Sequence, residues 1–237
     1  MSLMIYGATG YTGTLMSEQA RARGLDFVVA GRDPAKVAAL ANRLGVAGRS
    51  FSIDDAAAVR KNLEGVACVL HAAGPFGKTA RQMMDACIAA KAHYLDITGE
   101  FKVFALAESW NDKANAAGVM LMPGAGWDVV PSDCLALHAA RRAKSAQTLR
   151  LFLQHAGPVS RGSAASGGEI FGIGGRVRRG GAVVETNEQK PEMADFGKGP
   201  EHCIPLPMGD VITAWKSARI PNIEVCTSSE QSGLLAV

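Results

Sequence analysis

Apolar residues along the chain fall into short runs, separated by segments in which they recur every three or four positions. The runs are "LMIYG" at 3–7, "DFVVAG" at 26–31, "RSFSID" at 49–54, "VACVLHAA" at 66–73, "HYLDIT" at 93–98 and "GVMLMPG" at 118–124. They predict six strands. Between them, "PAKVAALANRLG" places Val37, Leu40, Ala41 and Leu44 at helical spacing, and "TARQMMDACIAAKA" does the same with Met83, Met84, Cys87 and Ile88. Strand and helix alternate, which predicts a doubly wound parallel sheet with helices on both faces, an α/β Rossmann arrangement. Asp33 before Pro34 reads as the N-cap of the second helix, and Gly45 as its C-cap.

After the helical "PSDCLALHAARRAKS" at 131–145 the pattern changes. "TLRLFLQHAG" is followed by the glycine- and serine-rich "GPVSRGSAASGGEIFGIGG" and by "RVRRGGAVVETN", with a turn expected at Gly180 and Gly181. We therefore expect a dinucleotide-type domain over 1–145 and a second, smaller α+β domain over 146–237.

Composition narrows the function classes. With 48% hydrophobic, 20% charged and 27 glycine residues in 237, the chain is globular rather than disordered. A formal charge of +3 is too small for a nucleic-acid surface, so a small molecule is the expected partner. The five cysteines, at 68, 87, 134, 203 and 226, are widely spaced, which argues against a disulfide framework or a thiolate metal site and for a reduced, cytoplasmic protein. The glycine turn begins at residue 7, which leaves no room before it for a signal peptide, and no apolar run reaches the roughly 18 residues of a membrane helix.

The candidate chemistry starts at "GATGYTG", where Gly7, Gly10 and Gly13 stand between the first strand and a breaker-free segment. In such a turn one glycine permits the bend, one admits the pyrophosphate and one lets helix and strand pack closely. Gly7, Ala8, Thr9, Gly10, Tyr11, Thr12 and Gly13 are then cofactor-binding, with N–H groups of the following helix aimed at phosphate. NAD enzymes place an acidic residue about twenty positions on. Here Arg32 stands nineteen residues after Gly13, and a guanidinium suits a 2′-phosphate, so NADP is favoured over NAD. A surface ion pair with Asp33 or Asp54 is the competing role for Arg32. Asp54 is a candidate for the adenine amino group, with helix capping as its alternative.

"AAGPFGKT" at 72–79 has the outline of a phosphate-binding P-loop, but Pro75 removes an N–H from a loop that must donate them. In the dinucleotide reading Ala73, Gly74, Pro75 and Phe76 line the nicotinamide side. A short-chain-dehydrogenase mechanism is excluded, because none of Tyr6, Tyr11 and Tyr94 has a lysine four residues on.

Together "GATGYTG", "AGR", "HAAGPFG", "YLDITGE" and "MPGAGWDVVPSD" resemble the saccharopine dehydrogenase-like family of NADP-binding oxidoreductases, over residues 4 to about 140. The resemblance extends more weakly through "GPVSRGSAASGGEIFG" and "GDVITAWKSARIPNIEV", and implies a mixed sheet of an inserted substrate domain. It also implies hydride transfer to or from an amino-acid-like or lipid-like substrate, the latter as in enoyl reductases of the family. Family members usually continue with further helices, whereas this chain stops at "EQSGLLAV", so a truncated product is one reading. An NADP-binding module without catalysis is the first alternative function, and a P-loop nucleotidase the second. A homodimer is the expected assembly if there is one.

Asp96 and Asp128 are the candidate catalytic residues, to orient a substrate or relay a proton, with Thr98, Glu100, Trp127, Ser132 and Asp133 nearby in sequence. Helix capping competes for Asp128, Ser132 and Thr98. His71 reads as a core histidine and His202 has no partner ligands, so no metal site is expected. Arg176, Arg178 and Arg179 read as a solvated hairpin.

Overall fold

A computed structural model describes residues 2–154, 174–186 and 191–229. Its packing divides into two compact units, one of residues 2–98 and 106–126, the other of 99–105 and the described residues from 127 onward.

The first unit alternates β1 (Ser2–Tyr6), α1 (Tyr11–Ala22), β2 (Phe27–Gly31), α2 (Pro34–Leu44), β3 (Ala47–Ser50), α3 (Ala56–Asn62), β4 (Val66–His71), α4 (Phe76–Ala90) and β5 (His93–Asp96). After α5 (Phe101–Ser109), whose residues are divided between the units, come α6 (Asn111–Ala117) and β6 (Leu121–Met122). The six strands are parallel in the order β3-β2-β1-β4-β5-β6, the doubly wound sheet expected. β2 is buried along its whole length, as a central parallel strand covered on both faces must be. Ile5, Phe27, Val29, Val37, Leu40 and Leu44 close the core between the sheet and α2. Each such side chain contributes about 1.5–3 kcal/mol by leaving water.

Local signals placed α2 correctly. Asp33 caps it by accepting from the Lys36 N–H at 3.1 Å, and Gly45 ends it at φ 65°. The third strand is displaced from its expected span. It runs over 47–50, and Phe51 and Ile53 bury their side chains after the ladder has ended. Their hydrophobicity marks attachment to the core, with Phe51 packed 5.0 Å from the Tyr6 ring and its N–H donating to the Gly31 carbonyl of β2 at 3.1 Å.

The second unit contains α7 (Val130–Ala140), β7 (Thr148–Leu153), β8 (Gly175–Arg179), β9 (Ala182–Thr186), β10 (Glu192–Asp195), β11 (Pro200–Pro205), α8 (Asp210–Ala218) and β12 (Asn222–Ser228). Its sheet runs β10-β11-β12-β8-β9 with antiparallel pairing, and β7 joins β12 in parallel, so it is mixed. β8 and β9 turn at Gly180 and Gly181, both with positive φ as a tight hairpin demands. Helix α7, which precedes the expected 145/146 boundary, buries Ala136 in the core of this unit beside Leu151, Val211 and Ile223. Residues 157–173 of the glycine- and serine-rich stretch and the terminal "EQSGLLAV" lie outside the described residues.

The turn after β1 sets the tightest steric constraint in the first unit. A Cβ at Gly13 would stand 2.1 Å from the Gly7 oxygen, whereas one at Gly65 meets nothing within 4 Å. Gly13→Ala is therefore expected to destabilise the protein by about 3 kcal/mol or more, and Gly65→Ala, strained only at φ 74°, by about 1 kcal/mol. Urea denaturation of both variants measures this, and equal midpoints would contradict it.

Candidate functional site

Gly7 lies at φ 81°, and a Cβ there would come within 2.8 Å of the backbone of Ala72 and Ala73, in the loop that follows β4. The first glycine thus lets two strand ends approach each other, and the third seats α1 against the turn. Gly10 differs. It is exposed and extended, and a Cβ on it would meet only the Gly7 oxygen, at 3.3 Å, so its bare backbone faces open space.

The N–H groups of Gly7 and Ala8 both donate to the Ala30 carbonyl, and that of Gly10 donates to Gly7. These donors hold the turn and are not left for a ligand. Helix α1 then opens at Tyr11 with no side-chain cap and no acidic residue in its first turn. Tyr11, Thr12 and Gly13 therefore present first-turn N–H groups that lack an intrahelical partner, at the positive end of the helix dipole. Thr9 stands at the end of β2, its hydroxyl 3.6 Å from where a Gly31 Cβ would be.

Arg32 follows Gly31 directly and is exposed. Among the described residues it makes no ion pair, because the Asp33 carboxylate is engaged with Lys36 as the helix cap and Asp54 accepts from the Ser52 hydroxyl at 3.2 Å. Its charge is nonetheless felt by Tyr6: burial raises the phenol pKa, and the Arg32 guanidinium opposes that rise. The capping role considered for Asp54 belongs to its neighbour, since Asp55 accepts from Ala57 and Ala58 at 3.0 Å each. Asp54 stays exposed.

Of the loop residues after β4, Ala73 and Pro75 are half-buried, Gly74 is exposed, and Phe76 turns inward to pack edge-on against His71 at 5.6 Å. Helix α4 already begins at Phe76, so Gly77, Lys78 and Thr79 are helical and no phosphate-wrapping loop forms. The Thr79 hydroxyl is spent on the Ala73 carbonyl at 2.8 Å. That is the physical reason the P-loop reading fails. Because Thr79 donates to Ala73, His71 Nε2 must carry the proton in its 2.9 Å contact with that hydroxyl. His71 is wholly buried, its pKa is pushed down to about 3 by desolvation, and Nδ1 has no partner among the described residues. It is a neutral core residue, ringed by Tyr6, Phe76 and Tyr94.

Asp96 is fully buried at the carboxyl end of β5. Its Oδ2 accepts from Tyr94 Oη at 2.6 Å, and its Oδ1 from the N–H groups of Thr98 at 2.9 Å and Gly124 at 2.8 Å. Its carbonyl also accepts from Ala125. The carboxylate thus ties β5 to the loop after β6. Glu100 directly precedes α5. Tyr94 was not singled out by sequence, although its placement two residues before Asp96 puts both on one side of the strand.

Within the second unit, Asp128 and Trp127 are exposed, Trp127 at 83%. Neither Asp128 nor Ser132 caps α7, which starts after Val129 without a side-chain cap. Ser132 instead donates to Asp210, and Asp133 accepts from Ser217 at 2.6 Å. The hairpin arginines are not uniformly solvated. Arg176 and Arg179 pair with Glu185 and Glu224, but Arg178 is buried, stacked 5.0 Å over Trp215 and bonded to the Val211 carbonyl. No cluster of three or more metal-ligating side chains occurs among the described residues, and no helix among them is long and apolar enough to cross a membrane.

With this geometry in place, comparison with known proteins identifies the class. Residues 3–122, half of the chain, match the model of the saccharopine dehydrogenase NADP-binding domain, and the chain belongs to that family. It therefore carries an NADP-binding domain of an oxidoreductase type. A Mycobacterium tuberculosis protein named as a trans-acting enoyl reductase is 31% identical over 150 residues, covering 59% of this chain and 36% of that one. The saccharopine dehydrogenase-like oxidoreductase of Homo sapiens is 25% identical over 178 residues, covering 66% and 42%. The chain thus spans less than half the length of these relatives. In fold it is similar to apo saccharopine dehydrogenase from Saccharomyces cerevisiae, with TM-score 0.64 at 15% identity over 95% of this chain and 54% of that one. It is also similar to GenD2 from gentamicin A biosynthesis, solved with NAD, with TM-score 0.52 at 17% identity over 96% and 65%.

The Asp96 junction gives a direct test. Tyr94→Phe removes a hydrogen bond to a buried carboxylate and is expected to cost about 1.5–3 kcal/mol of stability. An unchanged urea midpoint would show that the bond supports nothing.

Proposed function

We propose that NADP binds across the turn after β1 and that the protein transfers hydride to or from a small substrate. The observation that carries this reading is the turn itself: Gly7 and Gly13 are packed too tightly for any Cβ, while Gly10 is left bare beside an uncapped helix N-terminus. A structural turn needs the first two features and not the third. In this arrangement the N–H groups of Tyr11, Thr12 and Gly13 receive the pyrophosphate, with Ala8 and Thr9 shaping its approach. Arg32, exposed and without an ion pair, receives the 2′-phosphate. Asp54 lies on the adenine side, and Ala73, Gly74, Pro75 and Phe76 on the nicotinamide side.

When bound, NADP supplies the hydride chemistry; the protein supplies position and polarity. Asp128, an exposed carboxylate in the segment after β6, is the candidate to orient a polar group of the substrate. Asp96, engaged by Tyr94 and two backbone N–H groups, is assigned to positioning. The 31% identity to a protein named as an enoyl reductase favours a lipid-like, enoyl-bearing substrate over an amino acid. Turnover of such a substrate separates this reading from a module that only binds NADP.

Replacing Arg32 tests the cofactor assignment. Arg32→Ala is expected to weaken NADPH binding about 10- to 100-fold and NADH binding less than about threefold, followed by nicotinamide fluorescence. Equal losses for both cofactors, or none, would contradict it.

A further inference from the structure

The seam between α7 and α8 lacks one hydrogen. Ser132 on α7 meets Asp210 on α8, and Asp133 on α7 meets Ser217 on α8. The Ser132 hydroxyl donates to Asp210 Oδ1, and the Ser217 hydroxyl to Asp133 Oδ2 at 2.6 Å. Among the described residues three buried oxygens here have no partner: Asp210 Oδ2, Asp133 Oδ1 and Thr213 Oγ1. Two of them are carboxylate oxygens that only accept, and Thr213 brings a single hydrogen. The Ser132 hydroxyl also lies 3.0 Å from the Val129 carbonyl, and its one hydrogen cannot serve both acceptors.

We propose that this seam is a proton-binding site, in which a proton taken up by the Asp210 carboxyl bonds to the Ser132 oxygen, frees the Ser132 hydrogen for the Val129 carbonyl and latches α7 to α8. Asp210 is the seat of the proton because it is wholly buried, whereas Asp133 is only partly so. The surrounding charges agree. Asp133 on α7 and Asp128 just before it both disfavour ionised Asp210. Arg178 on β8 is occupied with the Val211 carbonyl and the Trp215 ring, Glu100 precedes α5 beside Met208, and α5 and α8 carry Lys102, Glu108 and Lys216 besides. Desolvation, partly offset by the Ser132 bond, pushes the Asp210 pKa up to about 6 from 3.8. A folded-state pKa above the unfolded one means that the stabilisation is fully present below about pH 4 and is lost as pH rises through about 6. The latch fixes the first turn of α7, directly after Asp128, and holds whether or not Asp128 meets a substrate.

The test compares thermal and urea stability of the full chain with Asp210→Asn and Ser132→Ala between about pH 4 and pH 8. From about pH 4 to pH 7.5 the wild-type folded-to-unfolded ratio is expected to fall by about 100-fold relative to Asp210→Asn, in which the amide keeps a donor at every pH. Ser132→Ala, which removes the bond opposing the rise, is expected to move the transition to higher pH. Carbon-13 NMR of the Asp210 carboxyl in the wild type should titrate near pH 6, and this readout stands even if a variant fails to fold. A carboxyl that titrates below about pH 4, or an Asp210→Asn profile parallel to wild type, would overturn the proposal. So would stabilisation by millimolar magnesium of wild type and not of Asp210→Asn, because a cation would then fill the seam.

Discussion

The site depends on one steric fact: at Gly7 and Gly13 the backbone is packed closer than any Cβ allows. Gly7 brings the end of β1 against Ala72 and Ala73, and Gly13 seats α1 on the oxygen of Gly7. Two strand ends and a helix start therefore converge at the carboxyl edge of the sheet. What remains outward is Gly10 and the open first turn of α1. Adding a methyl group at either packed position separates these pieces before it touches any ligand, which is why the turn constrains fold and function together.

Behind that edge lies a column of rings. Tyr6 on β1, His71 on β4 and Tyr94 on β5 pack side by side, with Phe51 closing the Tyr6 end and Phe76 edge-on against the central His71. Burial keeps His71 neutral, so the column carries no charge through the core. Its polar ends are anchored: the Tyr6 hydroxyl donates to the Phe51 carbonyl, and Tyr94 donates to Asp96, which gathers the loop after β6. The segments that follow β3, β4 and β6 are thereby tied to one continuous set of contacts.

Much of this was legible in sequence where the determinant is local. Asp33, Pro34 and Gly45 mark α2 because a cap acts within a few residues of itself, and Met83, Met84, Cys87 and Ile88 mark the buried face of α4 because helical spacing does. Legibility ended where a side chain chooses a distant partner. Nothing local distinguishes Asp54 from Asp55 as the cap of α3, or Arg178 from Arg176 and Arg179 before Trp215 is placed above it. Asp96 has the sequence profile of a catalytic carboxylate, yet it accepts from an N–H 28 positions away. The pairing of Ser132 with Asp210 spans 78 positions, beyond any motif. The glycine spacing and Arg32 were readable because both lie in one βαβ unit, where chain order fixes spatial order.

The central claim is that the open first turn of α1 is where NADP lands. Backbone-amide NMR of nitrogen-15-labelled protein, titrated with NADPH, measures this residue by residue. The account predicts the largest shifts at Gly10 to Gly13 and at Arg32, with smaller ones at Ala73 and Gly74. Shifts confined to Gly77 to Thr79, or a spectrum unchanged at saturating NADPH, would contradict it.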